Sequence, residues 1–417
     1  MGNFMFHGVD VTDLAREYGT PLYVMSEDEI VRRVREVRRC FDERYERCSA
    51  FFASKSFLTK DMLRILMREG MGLDVVSEGE LFLAREMGFP PEKIAFHGNS
   101  KTEREIASGL DYGVGKFVCD SQGEIALIDE MARERGALAS VLIRVTPGVD
   151  AHTHKYISTG EAGSKFGLPP EAAKDAVSFC GTLRNVSLSG FHFHVGSQLM
   201  DNSSHLEALD VLLPLIKELD AERFETKILD MGGGFGVRYT EKDSPQGISG
   251  FIGGMVDRVE DFCRSNGIAR PSLVVEPGRW IVSDAGITLY TVGSVKRLAG
   301  GGTYVGVDGG YPDNPRPALY GAEYEAVLAN KAGLPPAETV SVAGKCCESG
   351  DILIHSIALP EARRGDVLAV MCTGAYNHSM SNNYNKNPVP AVVMIKDGAP
   401  RLSVRRQTYE EMFSGNI

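Results

Sequence analysis

Ala50-Phe51-Phe52-Ala53-Ser54-Lys55 is a short run of apolar and small residues that ends in a lysine, and the amphipathic stretch Thr59–Glu69 follows it. The same alternation of a short apolar run with a charge-rich stretch continues to about residue 285. Short buried strands that alternate with helices are typical of a parallel sheet. Because eight such strands can be traced, the pattern favours a (β/α)8 barrel over an open doubly wound sheet.

These repeats predict a barrel domain over residues 28–285. Its candidate strands are Ala50–Ser54, Gly72–Val76, Lys93–His97, Lys116–Cys119, Ser140–Val145, Ser189–His194, Lys227–Met231 and Ser272–Glu276. The candidate helices between them include Thr59–Glu69, Glu78–Met87, Ser121–Arg135 and Ser204–Glu218.

The pattern changes after about residue 285. Turn residues there separate the β-rich segments Gly286–Val295, Thr303–Asp308, Thr339–Ala343, Val367–Met371 and Ala391–Ile395. Short strands with glycine, proline and asparagine between them predict a C-terminal all-β domain over residues 286–417. The N-terminal runs Asn3–Phe6 and Pro21–Val24 are further strand candidates, so residues 1–27 are expected to join that domain.

Length and composition limit the class of protein. At 417 residues the chain is longer than one core usually is, so two domains are expected. The net charge of −11 argues against nucleic acid or an anionic membrane as partner. No apolar run approaches the ~20 residues of a membrane helix, and the first residues lack a signal-peptide pattern. Eight cysteines without paired CxxC spacing indicate reduced thiols, so we expect a cytoplasmic protein.

Lys55 is the first candidate for chemistry. A lysine at the end of a buried strand can be partly desolvated, lose its proton readily and bond covalently to an aldehyde. The alternative is a lysine whose stem packs on apolar surface while its amine reaches water.

Two later segments carry groups that suit an anion or a heterocycle. The glycines of Asp230-Met231-Gly232-Gly233-Gly234-Phe235-Gly236 let backbone N–H groups converge on a phosphate, and they follow the seventh candidate strand. Glu276-Pro277-Gly278-Arg279 offers a carboxylate for a pyridine nitrogen and a guanidinium for a phosphate or carboxylate. The alternatives are a tight turn for the glycines and a surface turn with an incidental ion pair.

His192 and His194 lie two residues apart in His192-Phe193-His194-Val195-Gly196-Ser197-Gln198. Side chains alternate across a strand, so both imidazoles are expected on one face at the barrel mouth. One could stack on a cofactor ring while Ser197 donates to a phosphate, although a lone histidine is more often a core residue. No carboxylate stands at HExxH spacing, so zinc is the less favoured use and no metal is expected.

The β-rich part contains further candidates. Cys346-Cys347-Glu348-Ser349-Gly350-Asp351 places a thiol beside acidic residues, so the thiol could donate a proton and Glu348 could bind a cationic group. The alternative is a buried cysteine in a turn. Pro315-Arg316-Pro317-Ala318-Leu319-Tyr320 and Gly374-Ala375-Tyr376 resemble binding loops only weakly by themselves.

Together these segments resemble the fold-type III pyridoxal-phosphate-dependent decarboxylases. The resemblance runs from Gly19-Thr20-Pro21-Leu22-Tyr23 to Tyr376-Asn377-His378-Ser379-Met380. Its most specific segments are Gly72-Leu73-Asp74-Val75-Val76-Ser77-Glu78-Gly79-Glu80, His154-Lys155-Tyr156-Ile157-Ser158-Thr159-Gly160 and Lys165-Phe166-Gly167. So many matches in the same order argue against a chance resemblance.

The resemblance implies a (β/α)8 barrel with a C-terminal β domain that completes the active site, as in alanine racemase. It also implies pyridoxal 5′-phosphate as cofactor and a homodimer with shared active sites. The catalytic residues it implies are Lys55, Cys347 and His194. The cofactor-binding residues are Lys55, His194, Ser197, Gly233, Gly234, Glu276, Gly278, Arg279 and Tyr376. The substrate-binding residues are Arg279, Arg316, Tyr320, Glu348 and Tyr376, with Cys347 and Glu348 contributed across the dimer interface.

The activity that the resemblance implies is release of CO2 from the D centre of meso-2,6-diaminopimelate, which gives L-lysine in the last step of lysine biosynthesis. The alternative is a decarboxylase of ornithine, lysine or arginine, whose relatives carry Cys-Asp-Gly where this chain has Cys347-Glu348-Ser349. An alanine-racemase-like enzyme needs a second base on the opposite ring face, and a cofactor carrier would need only the barrel. Trp280 and Glu323 depart from the family pattern and leave the substrate scope open.

Overall fold

The computed structural model describes residues 2–149 and 164–417 of the chain. These residues fall into two units. The barrel unit consists of Arg33–Gly236 and Pro245–Gly278, and the β unit consists of the residues up to Arg32 together with Val237–Ser244 and Arg279–Ile417. No helix in the described ranges is long and apolar enough to cross a membrane.

Strands and helices are numbered in chain order over the described residues. The strands are β1 Met5–Phe6, β2 Val9–Asp10, β3 Leu22–Ser26, β4 Cys48–Ala53, β5 Gly72–Val75, β6 Ile94–Phe96, β7 Lys116–Cys119, β8 Ala139–Arg144, β9 Val186–His192, β10 Ile228–Asp230, β11 Ser272–Val275, β12 Gly286–Arg297, β13 Thr303–Val307, β14 Ala326–Leu328, β15 Glu338–Ala343, β16 Ile352–Leu359, β17 Val367–Val370, β18 Ala391–Lys396 and β19 Ala399–Val404. The α-helices are α1 Val11–Tyr18, α2 Glu27–Asp42, α3 Lys60–Glu69, α4 Glu78–Glu86, α5 Glu103–Tyr112, α6 Gln122–Glu134, α7 Pro170–Cys180, α8 Ser203–Ala221, α9 Ile248–Asn266, α10 Arg279–Val282, α11 Arg316–Tyr320 and α12 Tyr409–Phe413.

The barrel unit contains a closed sheet of parallel strands in the order β10-β11-β4-β5-β6-β7-β8-β9. Strands β11 and β4 complete the circle, where Val275 lies opposite Ala50. The predicted (β/α)8 barrel is confirmed, and every predicted barrel strand overlaps an observed one. Strand β9 begins earlier than predicted because Ser187 and Ser189 interrupt the apolar pattern while the backbone still pairs with β8.

Hydroxyl side chains determine where several barrel helices begin. Thr59 accepts a hydrogen bond from a backbone N–H in the first turn of α3, and Ser77 and Ser121 do the same for α4 and α6. Such caps satisfy N–H groups that the first turn leaves without a helical partner. The helices therefore begin soon after each strand, and the short loops hold the strand-end side chains at the carboxyl edge of the barrel, where barrel sites lie.

The interior of the barrel is filled by side chains. Phe51 packs with Ala95 and Val274 in a buried cluster. A Cβ on Gly72 would lie 2.7 Å from the Phe51 ring, and Lys116 Nζ lies 4.2 Å from its centroid. Gly72 is therefore required for this ring to fit inside the barrel.

The β unit is built on a nine-stranded sheet with the order β16-β15-β13-β12-β3-β18-β19, in which β17 also pairs with β12 and β14. Strand β3, from the N-terminal run predicted at Pro21–Val24, lies between β12 and β18. Strand β1 pairs with β2 instead. The core of this unit includes Leu22, Val24, Ile287 and Val393. The predicted C-terminal β domain is confirmed, and the short helices α11 and α12 accompany its strands.

Candidate active site

Lys55 lies in the 3₁₀ turn Ser54–Ser56, which directly follows β4. Glu80 ties this turn to the end of β5, because its Oε2 accepts from Ser54 Oγ at 2.6 Å and from Val76 N at 2.7 Å. Burial raises the pKa of Glu80. Lys55 lies two residues beyond the end of β4, and its side chain is exposed. The turn thus presents its amine to a ligand.

A buried carboxylate, Glu276, follows β11 and lies between two imidazoles. Its Oε1 is 2.7 Å from His97 Nε2, and its Oε2 is 3.2 Å from His192 Nε2. The first contact is electrostatic, since His97 Nε2 makes no aligned hydrogen bond within the described residues. Burial by itself raises the pKa of Glu276, but the imidazoles outweigh it and hold the pKa well below its usual range. Glu276 therefore supplies a negative charge to a ligand.

Two further carboxyl groups, Asp74 and Asp230, are buried in the barrel unit. Burial raises the pKa of each, and the charge of Glu276 raises both further. Burial also lowers the pKa of Lys116 and of Arg144, two basic groups near these carboxyls. Asp74 Oδ1 and Asp230 Oδ2 have no hydrogen-bond partner within the described residues. Buried polar atoms are usually paired, so these oxygens mark a place that suits a polar ligand.

The glycine run after β10 forms a cradle of closely spaced backbone. Gly232 and Gly234 have φ angles of +67° and +102°, which L side chains rarely adopt. A Cβ on Gly233 would lie 2.1 Å from the carbonyl oxygen of Glu276, and one on Gly278 would lie 2.9 Å from a side-chain carbon of β4. Packing therefore requires glycine here, and successive backbone N–H groups of such turns commonly bind phosphate.

Two histidines hold this cradle. Gly233 N donates to His194 Nδ1 at 3.2 Å, and His205 Nε2 donates to the Gly233 carbonyl at 2.8 Å. Burial lowers the pKa of His194 well below its usual range and that of His205 to about 4, so both rings are neutral at pH 7. Ser197 lies half-buried in the loop after β9. The structure thus places His194 against the predicted phosphate loop.

A second group of polar side chains lies in the β unit around Tyr239. Arg279 Nη1 donates to the Tyr239 hydroxyl at 2.6 Å, and Arg316 Nη1 donates to the same oxygen at 3.1 Å. Arg316 also donates to the Tyr324 hydroxyl at 2.5 Å. The guanidinium carbon of Arg279 lies 4.9 Å from the ring centroid of Tyr376, a cation–π contact. Both arginines are buried, and the structure brings them together with Tyr376.

Cys347 and Glu348 lie on an exposed turn after β15. Cys347 N donates to Asn385 Oδ1 at 2.8 Å, and Glu348 Oε1 accepts from Gly350 N at 3.3 Å. Within the described ranges, neither side chain hydrogen-bonds to the arginine group of its own chain. Tyr320 is half-buried at the end of α11. A single chain therefore does not join the cysteine turn to the arginines by hydrogen bonds.

The sequence prediction missed several of these residues. His97 is the last residue of the predicted strand Lys93–His97, and this position at the carboxyl end of a barrel strand is the signal that could have identified it. Asp74 lies within β5 and carries no such signal. Tyr239 and Tyr324 carry no such signal, because they follow no barrel strand directly. The segment His154–Gly160, which contributed to the resemblance, lies outside the described residues.

Known proteins similar to this chain point to one family. The family model of the pyridoxal-dependent decarboxylases, pyridoxal binding domain, matches residues 27–283. The diaminopimelate decarboxylase of Bacillus subtilis is 45% identical over 414 residues, which are 99% of this chain and 94% of that protein. The chain belongs to the pyridoxal-dependent decarboxylases.

Two more members of this decarboxylase family extend the likeness. The diaminopimelate decarboxylase of Bacillus methanolicus is 45% identical over 409 residues, which are 97% of this chain and 95% of that protein. The crystal structure of diaminopimelate decarboxylase from M. jannaschii in co-complex with L-lysine has a TM-score of 0.94 and 34% identity. That match covers 100% of this chain and 96% of the other.

The barrel unit fits the cofactor of the pyridoxal-dependent decarboxylases, pyridoxal phosphate. The unpartnered oxygens of Asp74 and Asp230 suit polar groups of a pyridine ring. The negative charge of Glu276 suits a protonated ring nitrogen, and the glycine cradle suits a phosphate. Lys55, exposed on its turn, suits an aldehyde.

A metal ion is a second ligand to consider for this decarboxylase barrel. In the described part of the chain, ligand atoms of His97, His192 and Glu276 lie within 4.8 Å of one another. In this group His192 is paired with His97, whereas the sequence had predicted only that His192 and His194 share one face of their strand. The positive charges of Lys116 and Arg144 both act on Glu276, the one carboxylate of this group, which disfavours a divalent cation there.

Proposed function

We propose that this chain is a diaminopimelate decarboxylase that converts meso-2,6-diaminopimelate to L-lysine and CO2, the last step of lysine biosynthesis. The observation that carries the proposal is the buried pair Arg279 and Arg316, since guanidinium groups suit the carboxylate at the distal end of this substrate. Relatives with this name cover nearly the whole chain, and one of them binds L-lysine, the product.

Pyridoxal phosphate, when bound, supplies a covalent link to the substrate amine and a ring that accepts the electrons left by departing CO2. We propose that Lys55 is its attachment point and that His194 stacks on its ring. The cradle of Gly233 and Gly234 holds the phosphate, and Glu276 faces the ring nitrogen. Ser197, Gly278, Arg279 and Tyr376 complete the proposed set of cofactor contacts.

The remaining residues are assigned to the substrate. Arg279, Arg316 and Tyr320 bind the distal carboxylate, Glu348 binds the distal ammonium, and Tyr376 contacts cofactor and substrate. The α-carboxylate leaves as CO2, and a proton held by Cys347 Sγ or by Lys55 Nζ replaces it on the α-carbon.

We further propose a cytoplasmic homodimer in which Cys347 and Glu348 serve the active site of a second copy of the chain. Their exposure, and their position apart from the arginine hydrogen bonds, support this assignment. Mixing the inactive variants Lys55→Ala and Cys347→Ala tests it, because hybrid dimers would regain one intact site. If each chain uses its own Cys347, every site stays defective and mixing restores nothing.

The proposed activity is tested by CO2 release from the purified chain with added pyridoxal phosphate. The substrates to compare are meso-diaminopimelate and both enantiomers of ornithine, lysine and arginine. We expect release from meso-diaminopimelate alone, with L-lysine as the second product. Release from ornithine, lysine or arginine instead would keep the cofactor assignments and overturn the assignment of the arginine pair.

A further inference from the structure

We propose that Tyr239 is a positioning residue that holds Arg279 and Arg316 side by side as one carboxylate-binding pair. This inference rests on the proposed function and deepens it, since it assigns specificity for the distal carboxylate to a residue that acts through the two arginines. The Tyr239 hydroxyl accepts from both guanidinium groups, at 2.6 Å from Arg279 Nη1 and at 3.1 Å from Arg316 Nη1.

The donor and acceptor capacity of a phenol determines the direction of these hydrogen bonds. A phenol oxygen has two acceptor positions and one hydrogen. The two arginine N–H groups fill both acceptor positions of Tyr239, so its own hydrogen must point elsewhere. Ser283 Oγ, which is fully buried, lies 3.3 Å away and accepts it. Rotation of the Tyr239 hydroxyl would break this arrangement, so the phenol holds both arginines in one orientation.

The charge of Arg316 explains why a carboxylate fits. Its hydrogen-bond acceptors in the described residues are the phenols of Tyr239 and Tyr324. Burial raises the pKa of Tyr324 to about 12, so this acceptor is neutral at pH 7. A neutral phenol such as Tyr324 satisfies a guanidinium donor without cancelling its charge, which leaves Arg316 ready for a charge-assisted bond to a carboxylate.

The segment that carries Tyr239 is itself held in place. Asp243 Oδ2 accepts from Tyr239 N at 3.0 Å and from Thr240 N at 2.9 Å. The backbone N–H of the next residue, Glu241, donates to Glu325 Oε1 at 2.8 Å. The Tyr239 ring also packs edge-to-face on Tyr324, with centroids 5.6 Å apart. Val237–Ser244 therefore acts as a fixed support for the phenol.

The test is the variant Tyr239→Phe, which removes the shared acceptor and keeps the ring. L-lysine and cadaverine serve as competitive inhibitors of meso-diaminopimelate turnover, because both carry an ammonium and only L-lysine carries the carboxylate. We expect the inhibition constant for L-lysine to rise about 10- to 100-fold and that for cadaverine to change less than about 3-fold. In the same variant, KM for meso-diaminopimelate should rise by a factor similar to that of the inhibition constant for L-lysine, while kcat falls much less.

The control is Tyr45→Phe, which removes another buried phenol whose hydroxyl donates to the Pro271 carbonyl at 2.7 Å. It should leave both inhibition constants unchanged. Tyr324→Phe is a second variant, which removes only one acceptor of Arg316. It should weaken inhibition by L-lysine and not by cadaverine, and by a smaller factor than Tyr239→Phe. If Tyr239→Phe does not fold, the result with Tyr324→Phe decides.

If Tyr239→Phe weakened inhibition by L-lysine and by cadaverine equally, or weakened neither, Tyr239 would only fill space and the inference would be overturned. An inactive wild type is a different outcome, because it overturns the proposed function. In that case calorimetric binding of L-lysine and cadaverine to the wild type and the variants still decides the role of Tyr239.

Discussion

The two polar groups of this protein are built in opposite ways. In the barrel unit, the carboxylate of Glu276 lies between the imidazoles of His97 and His192. In the β unit, two arginines share the phenol oxygen of Tyr239 as a hydrogen-bond acceptor. The barrel group therefore offers negative charge to a ligand, and the arginine group offers positive charge.

This difference indicates which part of a reaction each group serves. A carboxylate kept ionised in a buried place suits a cationic ring and the chemistry that depends on it. Paired guanidinium groups held by phenol acceptors suit recognition of a carboxylate that takes no part in the chemistry. Changes in the barrel group should therefore lower kcat, and changes in the arginine group should raise KM.

The largest effect is expected for Lys55→Ala, which removes the proposed attachment point of the cofactor. CO2 release from meso-diaminopimelate should fall at least about 10³-fold. Because Lys55 is exposed on a turn, the free energy of unfolding should hardly change. The matched control is Lys60→Ala, an exposed lysine at the start of α3, which should keep full activity. Turnover by Lys55→Ala close to that of the wild type would contradict the assignment of the barrel group.

Glu276→Gln should have the next largest effect, because it removes the negative charge between His97 and His192. We expect kcat to fall about 10²-fold with KM much less affected. Asp230→Asn is the matched comparison, since the pKa of Asp230 is raised by burial and the amide resembles its protonated form. It should cost less than about 10-fold in kcat. Steady-state kinetics of the two variants checks this. Equal falls in kcat for Glu276→Gln and Asp230→Asn would contradict the distinction between these carboxyls.

Asp313 tests the pH response of the β unit. Burial raises its pKa to about 7, from an ordinary value near 4, so the folded chain binds a proton that the unfolded chain releases. This contribution to stability is present below about pH 4 and is lost as the pH rises through 7. Asp313→Asn should therefore remove about 3 kcal/mol of the stability that the wild type loses between pH 5 and 8. Urea unfolding of wild type and variant at both pH values measures this difference. The same pH dependence of stability in the two proteins would contradict the prediction.

Substitution of His205, in the barrel unit, should change the pH dependence of stability by a smaller amount and with the opposite sign. Burial lowers its pKa to about 4, so the unfolded chain binds a proton more readily than the folded chain. Its contribution is present above about pH 6.5 and is lost as the pH falls towards 4. His205→Gln keeps a donor for the Gly233 carbonyl. It should remove about 2 kcal/mol of the stability that the wild type loses as the pH falls from 7 to 5. Urea unfolding that showed an unchanged slope would argue against a neutral buried His205.

The sequence was sufficient to predict the architecture of the barrel. Eight strands were predicted close to their observed positions, because the apolar period of a buried strand depends on neighbouring residues only. Glu276 and the glycine run were identified for the same reason, since each stands directly after a strand. Lys55 was identified in the same way, since it directly follows the predicted strand Ala50–Ser54 and lies in the turn after β4.

What the tertiary structure decided is which of these residues act together. His97 and His192 meet Glu276 although they come from different strands, and Tyr239 meets Arg316 from a segment that the sequence places inside the barrel repeats. Periodicity shows which face a side chain takes, and it contains no information on contacts between distant segments. Those contacts follow from the closure of the barrel and from the packing of Val237–Ser244 in the β unit, which local sequence patterns do not encode.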